Sequence, residues 1–160
     1  SMPVKILAGL AAVAALVLLA LLALYGYQSW QSSRVDSARA QALAAAQRFA
    51  PDVLSYDYRQ LEQDFGKAKA HLTGPFAEEY ADTTSQGVLP VAKEYKAVVK
   101  AEVVASSVVS AQPGEVVTLM FINQTTTSTR VEGPKIDQNR VRMTLTKVDG
   151  EWKISKVDAL

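Results

Sequence analysis

The residues best suited to acid–base chemistry lie in a short region that begins with VLSYDYRQLEQDF at position 53 and ends at His71, the single histidine of the chain. Asp57 and Asp64 supply carboxylates, and His71 supplies an imidazole, which can act as a base. Carboxylates catalyse proton transfer when a cleft shifts their pKa values to suit the reaction. If all three groups pointed into one cleft, they would suit an isomerase or a dehydratase.

The same region also has the pattern of a helix start. Asp57 comes directly before the first residue of an apolar series, and Gln60 follows three residues later, which is the spacing of a capping box. The series recurs at intervals of three and four residues, as one face of an amphipathic helix does: Tyr58, Leu61, Phe65, Ala68 and Leu72. We therefore favour a role for Asp57 as a helix cap rather than as a catalytic acid. We expect His71 to interact with the dipole at the end of that helix.

Other catalytic and metal-binding chemistry has little support in the composition. Cysteine is absent, which excludes disulfides, thiolate metal sites and thiol nucleophiles. A single histidine cannot form a two-histidine metal site, and the eight glycines are scattered rather than gathered in a phosphate-binding loop. The sequence thus predicts no cofactor, no metal and no enzymatic activity.

The charge balance bears on the partners. Lys5 precedes the apolar N-terminal segment, and it is one of 17 basic side chains, against 16 acidic ones in the whole chain. The part of the chain beyond that segment is therefore neutral. Nucleic-acid-binding domains carry a basic patch that follows the phosphates, so we expect no nucleic-acid partner.

The apolar segment at residues 6–25 reads ILAGLAAVAALVLLALLALY and contains no charged residue and no proline. As a helix it would be about 30 Å long, which matches the hydrocarbon thickness of a bilayer. A cleaved signal peptide has a shorter apolar region, of about 7–15 residues, followed by a site of small residues. The end of this segment, Leu21-Leu22-Ala23-Leu24-Tyr25, lacks such a site. We predict an uncleaved single-pass anchor over residues 6–27.

The flanks of the anchor suggest its orientation. Tyr25, Tyr27 and Trp30 follow the apolar run, where aromatic rings mark a membrane–water interface, and Lys5 precedes it. Residues 1–5 are predicted to be a short cytoplasmic tail, in which Ser1 before Met2 resembles a remnant of expression cloning. Residues 28–160 are predicted to form an extracytoplasmic domain on the periplasmic side of the cytoplasmic (inner) membrane.

One face of the anchor is lined by small residues. The spacing of these alanines is three and four residues: Ala8, Ala11, Ala12 and Ala15. Small side chains allow transmembrane backbones to approach closely. We predict that this face packs against a helix of a partner.

The rest of the chain predicts an α+β domain. The anchor is predicted to continue as a helical stalk over residues 28–49, which contain no proline or glycine, and Pro51 is predicted to end it. The apolar stripe of this stalk consists of Val35, Ala38, Ala42, Ala45 and Phe49. Two further helices precede four β segments, at residues 96–110, 116–123, 140–148 and 152–157. Asp149-Gly150 between the last two is a strong hairpin signal. Helices followed by antiparallel strands predict helices packed on one face of a sheet.

Several of these segments resemble one family. The N-terminal anchor, VLSYDYRQLEQDF, HLTGPFAEEY, VVKAEVVASSVVS, VVTLMFINQTTT and VDGEWKISKVD are together similar to the Mce-associated membrane proteins of mycobacteria and related actinobacteria. The resemblance covers nearly the whole chain. It implies a nuclear-transport-factor-like cone, with helices packed on a curled four-stranded antiparallel sheet. This cone is similar to the periplasmic domain of an inner-membrane core subunit of type IV secretion.

The resemblance also implies a function. Mce-associated proteins accompany lipid import systems that contain a permease, an ATPase and Mce subunits, so the leading expectation is an accessory or scaffold subunit of such a complex. Its expected partners are the permease or Mce subunits and the membrane lipid. An alternative is a module that binds a lipid or another small apolar ligand, with Tyr56, Tyr58, Met120 and Trp152 lining a pocket in the cone. The alternative for those four residues is simply to fill the core.

Overall fold

The apolar segment and the alanine-rich stretch after it form one continuous helix, α1 (Val4–Leu54), in a computed structural model that describes residues 3–160 except the side chain of Lys5. Its 51 residues span about 77 Å at 1.5 Å per residue. Residues 6–25 are exposed along their whole length, and this helix alone among the described residues is long and apolar enough to cross a membrane. Length, composition and exposure agree with the predicted single-pass anchor.

The second half of α1 packs against the rest of the chain through small side chains. The predicted stripe is confirmed at its alanines: Ala38, Ala42 and Ala45 are buried, together with Ala46 and Ala50. Phe49 is partly buried against the same core. Alanines bring the helix backbone close to the sheet, because they add little volume between the two surfaces.

Pro51 does not end the stalk, and that prediction is wrong. The residue lies within the last turn of α1, which continues to Leu54. Proline removes one helical hydrogen bond and normally disrupts a helix interior. Here only three residues follow it, and one of them, Val53, is buried in the core. Tertiary packing therefore holds this last turn in helical form.

The helix predicted to start at Tyr58 starts later. Tyr56 and Asp57 form a short strand, β1 (Tyr56–Asp57), and α2 (Leu61–Lys69) begins only after Gln60, whose side chain makes no capping bond. The predicted capping box is therefore wrong. The backbone N–H of Tyr58 donates to the carbonyl of Ala97 at 3.0 Å, so pairing with the neighbouring strand takes the place of the first helical turn. The apolar face itself is confirmed at three positions, where Leu61, Ala68 and Leu72 are buried.

Helices then continue to the sheet. They are α3 (Gly74–Thr83), one π-helical turn (Thr84–Val88) and α4 (Leu89–Glu94). The four predicted strands are β2 (Val98–Gln112), β3 (Glu115–Thr127), β4 (Lys135–Val148) and β5 (Glu151–Ala159). With β1 they form one antiparallel sheet of five strands in sequence order, so the expected count of four is one too low. The extra strand has only two residues and no periodicity that would predict it.

The core lies between the sheet and the helices. Side chains alternate along the strands, and those on the inner face are buried, as the pattern of β4 predicts. The largest fully buried apolar residues include Leu61, Met120, Ile122, Met143, Leu145 and Ile154. The space under the sheet is therefore filled by side chains. At the end of the sheet, Asp149 and Gly150 have positive φ angles of 50° and 82°, as the predicted hairpin requires.

Candidate functional site at the junction of stalk and domain

The C-terminal end of α1 is held by donors from distant parts of the chain. The hydroxyl of Tyr80 donates to the carbonyl of Val53 at 3.1 Å, and Nε2 of Gln124 donates to the carbonyl of Leu54 at 3.0 Å. Ser55 follows directly, and its Oγ accepts from the backbone N–H of Ala101 at 2.9 Å. The last carbonyls of a helix have no partner within it, so these bonds join the stalk to α3 and to the sheet.

The two donors are themselves held in place. Nδ2 of Asn139 donates to Oε1 of Gln124 at 2.7 Å, which orients the amide toward α1. Burial raises the pKa of Tyr80 to about 12, with a smaller contribution from the carboxylate of Asp64. The phenol is therefore neutral at physiological pH and remains a hydrogen-bond donor.

A second set of contacts surrounds Asp52, in the last turn of α1. Its carboxylate accepts from Nζ of Lys67 at 2.7 Å and lies 3.0 Å from Nε2 of His71. Burial opposes ionisation of Asp52, but the bonds from Lys67 and His71 outweigh it and hold its pKa below the ordinary value of 3.8. The ion pair joins the stalk to the end of α2.

His71, two residues beyond the end of α2, contacts both the stalk and the sheet. Its ring stacks on Phe49, with 4.1 Å between ring centroids and 13° between planes. Its backbone carbonyl accepts from the N–H of Ile154 at 2.8 Å. His71 therefore contacts α1 through its side chain and β5 through its backbone, and its interaction with the helix dipole stays a prediction.

A cavity of about 520 Å³ lies beside this cluster, between α1 and β5. Phe49, His71 and Trp152 form part of its wall, and Arg48 and Lys153 are among its charged residues. The indole N–H of Trp152 donates to Oε1 of Gln41 at 3.3 Å, so the tryptophan packs against the stalk.

The four predicted pocket residues do not share one pocket. Trp152 lines the cavity beside the stalk, whereas Tyr56 lines a separate cleft of about 330 Å³. Met120 is fully buried in the core, and Tyr58 is partly buried beside the guanidinium of Arg59. The structure thus places Met120 and Trp152 in the core, which is the alternative given for these residues above.

The three candidate catalytic groups are only partly brought together. Asp57 and Asp64 line the same small cleft, and the backbone N–H of Asp57 donates to Oδ2 of Asp64 at 2.8 Å. The side chain of Arg59 hydrogen-bonds to the carboxylate of Asp57 and lowers its pKa to about 2. A general acid at neutral pH needs the opposite shift. His71 turns away from this pair and toward Asp52.

The residues that hold the junction were not anticipated. No periodic pattern in the sequence links Asp52, Tyr80 and Gln124. Gln124 lies 70 positions from its partner Leu54. Only Asp52 had a local signal, as an acid that directly follows Pro51 near the end of a predicted helix. Such a position favours no particular partner.

The predicted interface residues lie on the exposed first half of α1 and just beyond it. Tyr25, Tyr27 and Trp30 are exposed, and the rings of Tyr27 and Trp30 are 6.4 Å apart. The guanidinium of Arg34 lies 4.7 Å from the centre of the Trp30 ring. The fourth predicted anchor, Lys5, lies outside the described side chains. The small-residue face of Ala8, Ala11, Ala12 and Ala15 is exposed, and its pairing with another helix stays a prediction.

Residues 6–160 match the model of one protein family, described as uncharacterized protein Rv1363c/MT1408-like. The chain belongs to this family. Uncharacterized protein Rv1362c of Mycobacterium tuberculosis is 40% identical over 124 residues, which cover 77% of this chain and 56% of that protein. The chain thus spans little more than half of this relative. Outer membrane protein Rv1973 of the same organism is 32% identical over 134 residues, which cover 82% of this chain and 83% of that protein.

Several solved structures share the fold, among them a type IV secretion system protein. An IcmL-like protein from Legionella pneumophila matches with a TM-score of 0.65 and 14% identity, over 76% of this chain and 91% of that one. The periplasmic domain of DotI matches with a TM-score of 0.63 and 19% identity, over 74% of this chain and 91% of that one. VirB8 of Agrobacterium tumefaciens matches with a TM-score of 0.59 and 13% identity, over 73% of this chain and 88% of that one. At these identities the likeness establishes the fold, which confirms the expected α+β cone.

Proposed function

We propose that this protein is a membrane-anchored scaffold subunit that stabilises or assembles an Mce-type lipid import complex. The observation that carries the proposal is the continuity of α1, whose exposed apolar half passes directly into a half that is packed on the sheet. A flexible linker would let the domain move independently of its anchor. A continuous helix instead holds it at a set distance and orientation.

The length of the stalk supports this role. From Gln28, at the end of the anchor, to Ala38, the first buried residue of α1, the helix rises about 15 Å. The bonds to Val53 and Leu54 and the ion pair of Asp52 then keep the far end of the stalk against the domain. A domain held above the bilayer in this way is suited to contacting neighbouring membrane subunits.

The link to Mce systems rests on the sequence resemblance. In this proposal the partners are the permease or the Mce subunits, and the domain lies on the extracytoplasmic side of the cytoplasmic membrane. The neutral charge of the domain and the filled core favour protein contacts over binding of nucleic acid or of a ligand inside the cone.

Copurification from native membranes tests the proposal. A tagged permease or Mce subunit, extracted in mild detergent, is expected to bring this chain with it in constant proportion. A chain in which an unrelated transmembrane helix replaces residues 6–27 serves as the control for the anchor. If this chain is consistently missing from complexes that are otherwise intact, the proposal fails.

The orientation is tested separately, because the chain has no cysteine of its own. Single cysteines at Val4 and at Ser110, both exposed, lie on the two sides of the anchor. In intact cells, a maleimide reagent that does not cross the membrane is expected to label Ser110→Cys and to spare Val4→Cys. The reverse pattern would place the domain in the cytoplasm.

A further inference from the structure

The outer face of the sheet, which points away from α1, departs from the usual pattern of an antiparallel sheet. One face normally packs on the core and the other carries polar side chains. Here three large apolar residues lie on the outer side with much of their surface exposed: Val104 at 61%, Phe121 at 42% and Ile136 at 63%. Val104 and Phe121 line the same cleft, and exposed apolar residues that lie together mark interaction sites more often than single ones do.

An irregularity in β2 brings two of these residues, Val104 and Phe121, together. The register of β2 against β3 shifts between Val103 and Ala105, so Val104 is an extra residue that points outward. Ala105 then pairs with Phe121, and Phe121 pairs with Arg140 on β4. Three adjacent strands thus contribute to one cleft of about 550 Å³ on the outer face.

The rim of the cleft is polar and carries a cation. Arg140, Asn123 and Gln138 line it together with Val104 and Phe121. Within residues 3–160, the guanidinium of Arg140 makes no salt bridge and no side-chain hydrogen bond. The side-chain amides of Asn123 and Gln138 can both donate and accept, which suits the backbone of a peptide. An apolar floor beside a cation favours an apolar group next to a carboxylate.

We propose that this outer-face cleft (Val104, Phe121, Asn123, Gln138 and Arg140) binds a segment of a partner protein in which an apolar side chain adjoins an aspartate or a glutamate. The apolar side chain would lie on Phe121 and Val104, and the carboxylate would pair with Arg140. This inference rests on the scaffold function proposed above, because it assigns the surface by which the domain contacts its complex.

A second copy of the chain fits this surface poorly. In a two-fold symmetric contact the same patch faces itself. The Arg140 and Arg142 side chains of both copies, which lie on the same side of β4, would then share one interface. Like charges placed together across an interface are unfavourable. Charge complementarity therefore favours an acidic segment of a different protein.

Site-specific crosslinking in native membranes tests the proposal with the full chain. A photoreactive benzoylphenylalanine replaces Phe121, and the control places the same residue at Gln112, which is exposed at the far end of β2. Crosslinks are expected at position 121 only, and mass spectrometry of the joined peptide should find a carboxylate beside the attachment point. Attachment to a second copy of this chain, to lipid alone or to nothing would overturn the proposal.

Charge reversal supplies the second measurement. Arg140→Glu is expected to lower the crosslink yield at position 121 about tenfold or more, whereas Arg140→Lys should retain much of it. In the Arg140→Glu variant, replacing the identified carboxylate residue of the partner with arginine should restore the crosslink yield. Equal yields for all variants would overturn the proposal. The Arg140 side chain is exposed, so thermal unfolding of the variants should match that of the parent chain.

The outcomes separate the two proposals. If the importer copurifies with this chain but position 121 gives no acidic crosslink, the surface is wrong and the scaffold function stands. If position 121 captures an acidic segment with charge rescue in a protein outside any Mce system, the surface is right and the proposed complex is wrong.

Discussion

The side-chain amide of Gln124 donates to the carbonyl of Leu54 at 3.0 Å, across 70 positions of sequence. This bond connects the middle strand of the sheet with the last residue of the helix that contains the apolar N-terminal segment. Together with the bond from Tyr80 to Val53, it lets the sheet determine where the stalk ends and in which direction the anchor leaves the domain.

Replacing Gln124 with leucine should therefore weaken the domain. The variant removes the donor to Leu54 and the acceptor of Asn139. Partly buried groups left without partners cost about 1–3 kcal/mol. The measurement is chemical unfolding of the full chain in lipid nanodiscs. Unfolding is monitored by the fluorescence of Trp152, with Trp30 replaced by phenylalanine so that only one tryptophan contributes. Gln138→Leu, at an exposed position of β4, is the matched control and should change the free energy of unfolding by less than about 0.5 kcal/mol.

Asp52→Asn should change how stability depends on pH. The pKa of Asp52 is lower in the folded chain than its ordinary value of 3.8, so the folded state binds fewer protons at this site than the unfolded state. Its contribution to stability is complete above that ordinary value and is lost as the pH falls toward the lower folded pKa.

The free energy of unfolding of the variant should thus be lower than that of the parent by about 1–2 kcal/mol at neutral pH. This difference should decrease as the pH is lowered. Unfolding midpoints between neutral pH and pH 3 measure this difference. Asp36→Asn, at an exposed position of the stalk, should follow the parent curve. A gap that stays constant into acid would show that the carboxylate contributes through packing rather than charge.

Ala42→Leu tests the close packing of the stalk. Ala42 is completely buried against the sheet, so a larger side chain must displace the helix or its neighbours. Such overpacking costs about 1–3 kcal/mol. Ala40→Leu changes the same residue type on the exposed side of the same helix and should have little effect. Thermal unfolding measured by circular dichroism compares the two, and equal melting temperatures would argue against a tightly packed junction.

Ala12→Leu tests the small-residue face of the anchor. Leucine there should reduce recovery of the chain in the copurified complex, because a bulkier side chain keeps a neighbouring helix backbone at a distance. The domain should stay folded, since Ala12 is exposed and far along α1 from the sheet. Val13→Leu, one residue along and on a different face, is the control. Equal recovery of both variants would count against this face as a packing site.

Local patterns in the sequence predicted much of the architecture. The 20-residue apolar run gave the exposed half of α1, and the alternation of Val141, Met143 and Leu145 gave the buried face of β4. Asp149-Gly150 gave the last hairpin, because positive φ angles favour this residue pair. Each of these signals depends on neighbours within a few positions, so periodicity and turn chemistry are enough to detect them.

The predictions that failed depend on distant contacts. Pro51 and Asp57 have strong local meanings, as a helix stop and a helix cap, but packing of Val53 and pairing of β1 with β2 override both. The four predicted pocket residues have suitable types, but types do not specify which side chains fill the core. The register shift that turns Val104 outward is likewise absent from the valine-rich pattern of β2.

By itself, the sequence determined that this chain has an apolar helix able to cross a bilayer and an α+β domain with no cysteine and a single histidine. The sequence also predicted that the anchor continues into a helical stalk. Only the tertiary structure decided that the stalk continues past Pro51 to Leu54, that Asp52, Tyr80 and Gln124 hold its end, and that an apolar cleft opens on the outer face. The reason is physical: hydrophobic periodicity is a property of neighbouring residues, whereas a hydrogen bond to an unpaired carbonyl depends on where the folded chain brings its donor.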